Sequence, residues 1–404
     1  MELYFADPIE AEQIETLRSR GHRCVIATSA AEGDLAEELT NAEVLIVRST
    51  AVTRQTIEAA PRLGLIIRAG AGTDTIDVDA ASEYGVYVCN VPGQNAVAVA
   101  ELTLGLILSI DRRIPDSTGD LQDAVWDKAK YSNARGLKGR NIGILGFGNI
   151  GLEVARRAQS FGLVIHGLDR GAREPETEAA MTELGVSLHQ TLDDLLVVSD
   201  IVSLHLPLTD QTKRLVDRAF LDHMKPGAML INTSRGALVD EEALVEAMRT
   251  KDLRVGLDVY DAEPTEGTAT WASPLSEMDR FVGTHHIGAS TDQARGAIAQ
   301  GVVSTISGYE AGLPPNCVNI AHHPLGECAI AVRHRDEVGV LAAVLSGLRT
   351  AGINVQQMRN EIFEGAGPTA AVATIRVSQS PDHATIQALK DIPSVIKVDV
   401  LASL

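Results

Sequence analysis

The sequence is poor in several things, and each scarcity narrows what the protein can do. Aromatic residues make up only 3% of its 404 positions, too few for a surface that stacks on nucleobases. Lys and Arg number 35 against 54 Asp and Glu, for a formal net charge of −19. That balance excludes general affinity for nucleic acid or an anionic membrane, both of which need basic surface. The four cysteines, Cys24, Cys89, Cys317 and Cys328, fall in no C-x-x-C or other metal-ligand spacing. Scattered reduced thiols and no metal are therefore expected. The opening MELYFADPIEAEQ has no basic segment leading into an apolar one, and the longest apolar stretch, 96–110, is broken by Glu101. Neither a secretory signal nor a bilayer span is expected, and the cytoplasm is the expected location.

Hydrophobic residues reach 45% and glycines number 35, ample for two or three packed cores with tight turns. Over the first ninety residues the β-rich runs LYFAD, RCVIAT, VLIV, LGLII and VYVCN alternate with helical stretches at 11–20 and 53–60. Such alternation predicts a parallel sheet with crossover helices. A long apolar helix is predicted over 95–113. A second α/β series follows, with strands NIGIL, LVIHGLD, IVSLHL, MLINTS, VGLDV and RFVGT, and with Asp240 as N-cap of a helix at 240–249. Helix 291–311 is expected to lead back to the first domain, and GLPPN at 312–316 reads as a linker. The remaining residues read β-α-β-β-α-β, a ferredoxin-like unit.

Gly146, Gly148 and Gly151 spell G-x-G-x-x-G between a predicted strand and a predicted helix. Glycine there permits a tight turn and close approach of the backbone to a pyrophosphate at the positive helix N-terminus. Asp169 ends the next strand, where a carboxylate accepts hydrogen bonds from an adenosine ribose and repels an added phosphate. NAD is therefore expected as cofactor rather than NADP, although Arg170 beside it could welcome that phosphate. Ligands of open parallel sheets bind beyond the carboxyl ends of the strands. Arg235, Glu263 and His286 each follow a strand of the second series, and Arg48 and Arg68 occupy the matching place in the first. A neutral histidine can take the hydroxyl proton of a secondary alcohol, a carboxylate behind it can steady the imidazolium, and guanidinium groups can hold a small anion.

Six stretches, RAGAGTDTID (68–77), NVPGQNAVAVAE (90–101), GILGFGNIG, NTSRGALVDEEAL (232–244), LDVYDAEP (257–264) and HIGAST (286–291), carry a family likeness. The chain resembles the D-isomer-specific 2-hydroxy-acid dehydrogenases along most of its first 320 residues. The resemblance implies an α/β protein with a Rossmann-type NAD-binding domain (96–289) inserted in a flavodoxin-like substrate-binding domain (1–95 and 290–316). It implies Arg235, Glu263 and His286 as the catalytic trio. Around the cofactor it implies Gly146, Gly148, Asn149, Ile150, Gly151, Asp169, Thr233, Ser234, Asp258 and Gly288. On the substrate side it implies Arg48, Arg68, Ala71, Gly72 and Asn95. His285 stands where the family carries proline, and Leu206 and Ala71 stand where relatives often carry hydroxyls.

The segment 336–355 resembles an ACT domain, which implies a regulatory unit at 325–404. His334, Asp336 and Asn354 match effector positions of relatives that respond to L-serine, with Asp336 in place of their asparagine. A homodimer or homotetramer is implied as well. The first candidate substrate is 3-phospho-D-glycerate; reduction of glyoxylate or hydroxypyruvate is the alternative, and a non-catalytic NAD sensor the reading from another class.

Overall fold

The structure, a computed structural model, describes residues 1–27, 38–171, 173–264, 268–321, 323–365 and 369–401. The chain divides into two compact units, Met1–Asn319 and Ile320–Leu404.

Two sheets lie in the first unit. Strands β1 (Glu2–Phe5), β2 (Arg23–Ile26), β3 (Val44–Val47), β4 (Leu65–Arg68) and β5 (Tyr87–Asn90) pair in parallel in the order β2-β1-β3-β4-β5, the flavodoxin-like arrangement. Each residue of β3 is buried, because crossover helices cover both faces and the strand has no wet side. Helix Asp292–Glu310 returns to this sheet and lays Ile298, Val302, Val303 and Ile306 into the core that holds Leu65 and Ile67. Residues more than two hundred positions apart thus make one core.

The second sheet comprises β6 (Asn141–Leu145), β7 (Val164–Leu168), β8 (Ser187–His189), β9 (Ile201–Leu204), β10 (Met229–Asn232), β11 (Arg254–Leu257) and β12 (Phe281–Gly283). All pair in parallel, in the order β12-β11-β10-β9-β6-β7-β8. The order reverses between β6 and β9, and such a switch point opens a crevice beyond the strand ends. Helix Ala96–Arg112 leaves the first sheet and buries Ala100, Leu104, Ile107 and Ile110 against Ile142, Ile144 and Ile231 of the second. Two elements carry no sequence signal. Strand β8 is three residues long and mostly exposed, so no apolar run marks it. Helix Ile114–Gln122 buries none of its residues, and left-handed Arg113 (φ 52°) separates it from the helix before.

The second unit runs β13 (Cys328–Arg335), helix Val340–Thr350, β14 (Val355–Ile362), β15 (Ala370–Val377), helix His383–Lys390 and β16 (Val395–Leu401). Its antiparallel sheet has the order β14-β15-β13-β16, the ferredoxin-like pattern. Ile330, Val332 and Ile375 from the sheet meet Val344, Leu348 and Leu389 from the helices. No described helix is long and apolar enough to cross a membrane.

Candidate active site

The loops after β10, β11 and β12 bring Arg235, Glu263 and His286 to one edge of the second sheet. His286 Nδ1 lies 2.7 Å from Glu263 Oε2, and Glu263 Oε1 accepts from the Tyr260 amide at 2.9 Å. Both carboxylate oxygens are therefore fixed. Burial pushes the Glu263 carboxyl up, but the bonds from His286 and Tyr260, with the charges of His286 and Arg235, outweigh it and hold the group below its ordinary value. An ionised carboxylate only accepts, so the Nδ1 of His286 carries the proton of this bond, and Nε2 is the ring atom left to exchange a proton with a substrate.

His286 adopts a left-handed backbone (φ 53°), unfavourable for a residue with a Cβ. Asp258, 1% exposed, holds that turn. Its carbonyl accepts from the His286 amide at 2.8 Å. Its carboxylate accepts from the Thr284 hydroxyl at 2.6 Å and from the Ile287 and Gly288 amides, both at 2.9 Å. The Tyr260 hydroxyl donates to the Thr284 carbonyl at 3.0 Å and joins the two loops. His285 is exposed.

Arg235 reaches across to the loop after β4. Its Nε donates to Asp74 Oδ2 at 2.7 Å, its Nη2 to Asp74 Oδ1 at 3.5 Å, and its Nη1 to the Ser234 carbonyl at 2.8 Å. A Cβ added to Gly72 would sit 1.7 Å from Arg235 Nη2, and one added to Gly70 would sit 1.4 Å from Arg68 Nη1. Both guanidinium groups thus lie against the same short stretch of backbone. The Ala71 and Gly72 amides, beside them, donate to no partner among the described residues. Nor do the buried Arg68 Nε and Asn95 Oδ1 have a partner. Burial first, then the like charge of Arg235, pushes the Arg68 pKa below its ordinary value; Arg48 adds to this, while Asp74 and Asp7 oppose it. Positive charge, idle amides and buried unpaired groups suit a small carboxylate. Replacing Gly72 with Ala is expected to displace the Arg235 side-chain tip without unfolding the protein. Turnover per unit of acid should drop roughly 10²-fold while the melting temperature holds, and kinetics equal to the wild type would refute that placement.

Of the residues predicted for the cofactor, the glycine motif follows β6 at the switch point, Asp169 follows β7, and Thr233, Ser234, Asp258 and Gly288 come after β10, β11 and β12. Gly146 (φ 102°) turns where a Cβ would meet the His205 carbonyl at 2.3 Å, and Gly151 packs its Cα face against the Gly146 carbonyl. A Cβ at Gly148 would meet nothing within 4 Å. That open space adjoins the start of helix Asn149–Ser160, whose first amides have no side-chain cap, and a pyrophosphate fits it. Ile150 follows in the first turn. Asp169 accepts from the Gly171 amide at 3.2 Å and from Gln190 Nε2 at 3.0 Å; these bonds hold its carboxyl below the ordinary range. It is ionised, ready to accept from ribose hydroxyls and hostile to a phosphate. Arg173 lies 3.9 Å from it; no contact places Arg170 there.

Thr103 donates to the Val99 carbonyl at 2.8 Å and lies 3.0 Å from Thr233 Oγ1. The Thr233 proton therefore goes to Thr103, and its oxygen is left as an acceptor. Ser234 spends both its amide and its hydroxyl on buried Asn232 Oδ1, at 3.0 and 2.7 Å. The Gly288 amide and most of the Asp258 carboxylate are likewise engaged, which leaves Asp258 one free acceptor position on Oδ2. Burial drives the His205 pKa down to about 3, so the ring is neutral, and its Nδ1 has no partner. The residues present fit a dinucleotide. Leu206 is nearly buried beside them.

Asp74, Thr103, Gln190, Tyr260 and Thr284 escaped the sequence reading. Asp74, Tyr260 and Thr284 lay in stretches already singled out, but no spacing rule pairs Asp74 with an arginine 161 positions away.

In the second unit, His334 is 2% exposed, with Nδ1 bonded to the Arg335 carbonyl (2.7 Å) and Nε2 to Asn360 Oδ1 (3.2 Å). Asp336 is exposed just beyond it. The strand registers set His334 level with Ile362 and Cys328 level with Val355. Asn354 therefore lies at the opposite end of the sheet, beside a recess of about 360 Å³ formed with Leu345, Arg349 and Ile353. One copy does not bring the three together. A concavity of about 650 Å³ in the first unit, lined by Arg112, Leu121, Trp126 and Tyr131 among others, contains none of the predicted site residues.

Residues 104–288 match the D-isomer specific 2-hydroxyacid dehydrogenase, NAD binding domain family. The chain is 39% identical to a hydroxypyruvate reductase of Thermotoga maritima, over 74% of this chain and 95% of that protein. It is 31% identical to a D-3-phosphoglycerate dehydrogenase of Escherichia coli, over 97% and 95% of the two chains. A crystal structure of D-lactate dehydrogenase from Aquifex aeolicus, complexed with NAD and lactic acid, superposes with a TM-score of 0.69 at 28% identity, over 80% of this chain and 100% of that one. With open parallel sheets around an Arg–Glu–His cluster, the chain belongs to the D-isomer-specific 2-hydroxyacid dehydrogenase family. It spans 59–62% of the length of other D-3-phosphoglycerate dehydrogenases that it matches.

Proposed function

We propose that the chain is an NAD-dependent dehydrogenase of small anionic D-2-hydroxy acids, and that its substrate is 3-phospho-D-glycerate, oxidised to 3-phosphohydroxypyruvate at the entry to serine synthesis. The observation that carries this is the 2.7 Å His286–Glu263 pair set beside Arg235. In this reading the substrate carboxylate lies between the free fork of Arg235 and the amides of Ala71 and Gly72, with Asn95 nearby. His286 Nε2 takes the hydroxyl proton, and the Glu263 charge stabilises the imidazolium that results. Arg68 and Arg48 hold a second anionic group, which favours a phosphorylated acid over an unphosphorylated one. NAD, when bound, accepts the hydride. Gly146, Gly148, Asn149, Ile150 and Gly151 hold its phosphates, Asp169 its adenosine ribose, and Thr233, Ser234, Asp258 and Gly288 line its other end.

The division of labour we infer is 1–95 with 290–316 for the acid, 96–289 for the cofactor and 325–404 for ACT-like regulation, in a cytoplasmic homodimer or homotetramer. Exposed Leu121, Val125 and Trp126 (82% exposed for the last) support pairing of copies. In such an assembly, His334 and Asp336 of one copy and Asn354 of another could form one L-serine site, since one copy holds them apart.

The test is a panel of acids with purified protein, run with NAD or NADP, with and without L-serine, beside sedimentation at the assay concentration. NADH from 3-phosphoglycerate, little NADPH and a species larger than a monomer are expected. The second reading, reduction of hydroxypyruvate, is supported by the T. maritima relative's 39% identity. It would replace the first if hydroxypyruvate were reduced while neither 3-phosphoglycerate nor its keto acid turned over.

A further inference from the structure

We propose that Asp74 is the positioning residue for Arg235: it grips one edge of the guanidinium so that the opposite edge faces the substrate carboxylate, and thereby sets affinity for the acid. The proposal rests on the reading of Arg235 as the carboxylate-holding group.

A guanidinium has five N–H donors in a rigid plane. Asp74 takes the Nε–H at 2.7 Å and faces one Nη2–H at 3.5 Å, while one Nη1–H goes to the Ser234 carbonyl at 2.8 Å. One N–H on each terminal nitrogen remains. With the Ser234 carbonyl on the Nη1–H that points back along the side chain, these two lie side by side along the end of the fork, the spacing that meets both oxygens of a carboxylate. Side-on capture by Asp74 and end-on capture of substrate are therefore compatible, and the first aims the second.

Charge adds a second reason. Arg235 and Arg68 face the same backbone stretch over Gly72 and Gly70, and their like charges oppose each other. The Arg235 side chain is 29% exposed, so water is an open alternative to that crowded place. Asp74 is the anion that holds it in. The carboxylate comes from the loop after β4 and the guanidinium from the loop after β10, so the pair also joins the first sheet's side of the cleft to the second's. With 43% of the Asp74 side chain exposed, such a pair contributes little to global stability. Its loss should be read in kinetics rather than in melting.

The experiment compares Asp74→Ala, Asp74→Asn, Arg235→Ala and the double variant Asp74→Ala/Arg235→Ala, in the full chain. Asp74→Ala is expected to raise KM for the acid roughly tenfold, with kcat less changed, NAD binding unchanged by fluorescence titration, and melting unchanged. Asp74→Asn, whose amide oxygen still accepts from Nε, should recover part of that loss. Adding Asp74→Ala to Arg235→Ala should change nothing further, because a residue that acts only through its partner has no effect once the partner is gone. The proposal is overturned if Asp74→Ala leaves KM unchanged while Arg235→Ala raises it, or if Asp74→Ala has its full effect without Arg235. If Arg235→Ala itself leaves KM unchanged, the reading of Arg235 fails instead.

Discussion

Replacing His286 with Ala is expected to lower the rate of acid oxidation by roughly 10²–10⁴-fold and to leave NAD affinity as it was. The size follows from what the ring does. The alcohol proton must leave as hydride departs, and no other described base is tied so firmly to this edge: Glu263 spends one oxygen on the Tyr260 amide and the other on His286 itself. Sign and pH dependence follow too. Oxidation needs a base that can take the proton, so the wild-type rate should climb as pH rises across the range where imidazoles in general change charge, about pH 5 to 8. Glu263, held below the ordinary carboxylate range, stays ionised throughout and adds no inflection there. In the alanine variant that climb should vanish from the chemical step. Single-turnover rates measured across this range would check it; a flat wild-type profile, or an alanine variant with the same slope, would remove His286 from the base role.

The placement of these residues is legible in the sequence, for identifiable reasons. Strands such as VLIV and NIGIL are buried on both faces, so they appear as apolar runs, and the functional side chains stand directly after them in a parallel sheet. Arg235, Glu263 and His286 therefore show their shared edge through position alone. The glycine motif is legible because its backbone geometry demands the residue type. The unread parts depend on distance in space. Asp74 and Thr103 act on residues 161 and 130 positions away, with no local pattern to betray the pairing. Strand β8 and helix Ile114–Gln122 bury too little to imprint a periodicity. In the second unit the sequence placed His334, Asp336 and Asn354 in one effector set, whereas the sheet register of a single copy keeps His334 and Asn354 at opposite ends.

Asp258, which the family resemblance places at the cofactor alone, carries the other large expected effect. Its carboxylate accepts three hydrogen bonds inside a site that is 1% exposed. Asp258→Ala would leave the Thr284 hydroxyl and the Ile287 and Gly288 amides without their acceptor. Each buried donor so orphaned costs on the order of 1–3 kcal/mol, and water entering the vacated space offsets part of the sum. A net loss of about 3–5 kcal/mol, seen as a fall of roughly 10 °C in melting temperature, is expected. Activity should fall further than stability explains, because the turn bearing left-handed His286 would relax and draw the ring from Glu263. Asp258→Asn should be intermediate: its NH2 group must face at least one donor, so at most two of the three bonds survive. A residue serving only the cofactor would behave otherwise. Its amide variant would raise KM for NAD while melting and the pH profile stayed with the wild type, and that outcome would return Asp258 to the dinucleotide and leave the His286 turn to be held by other means.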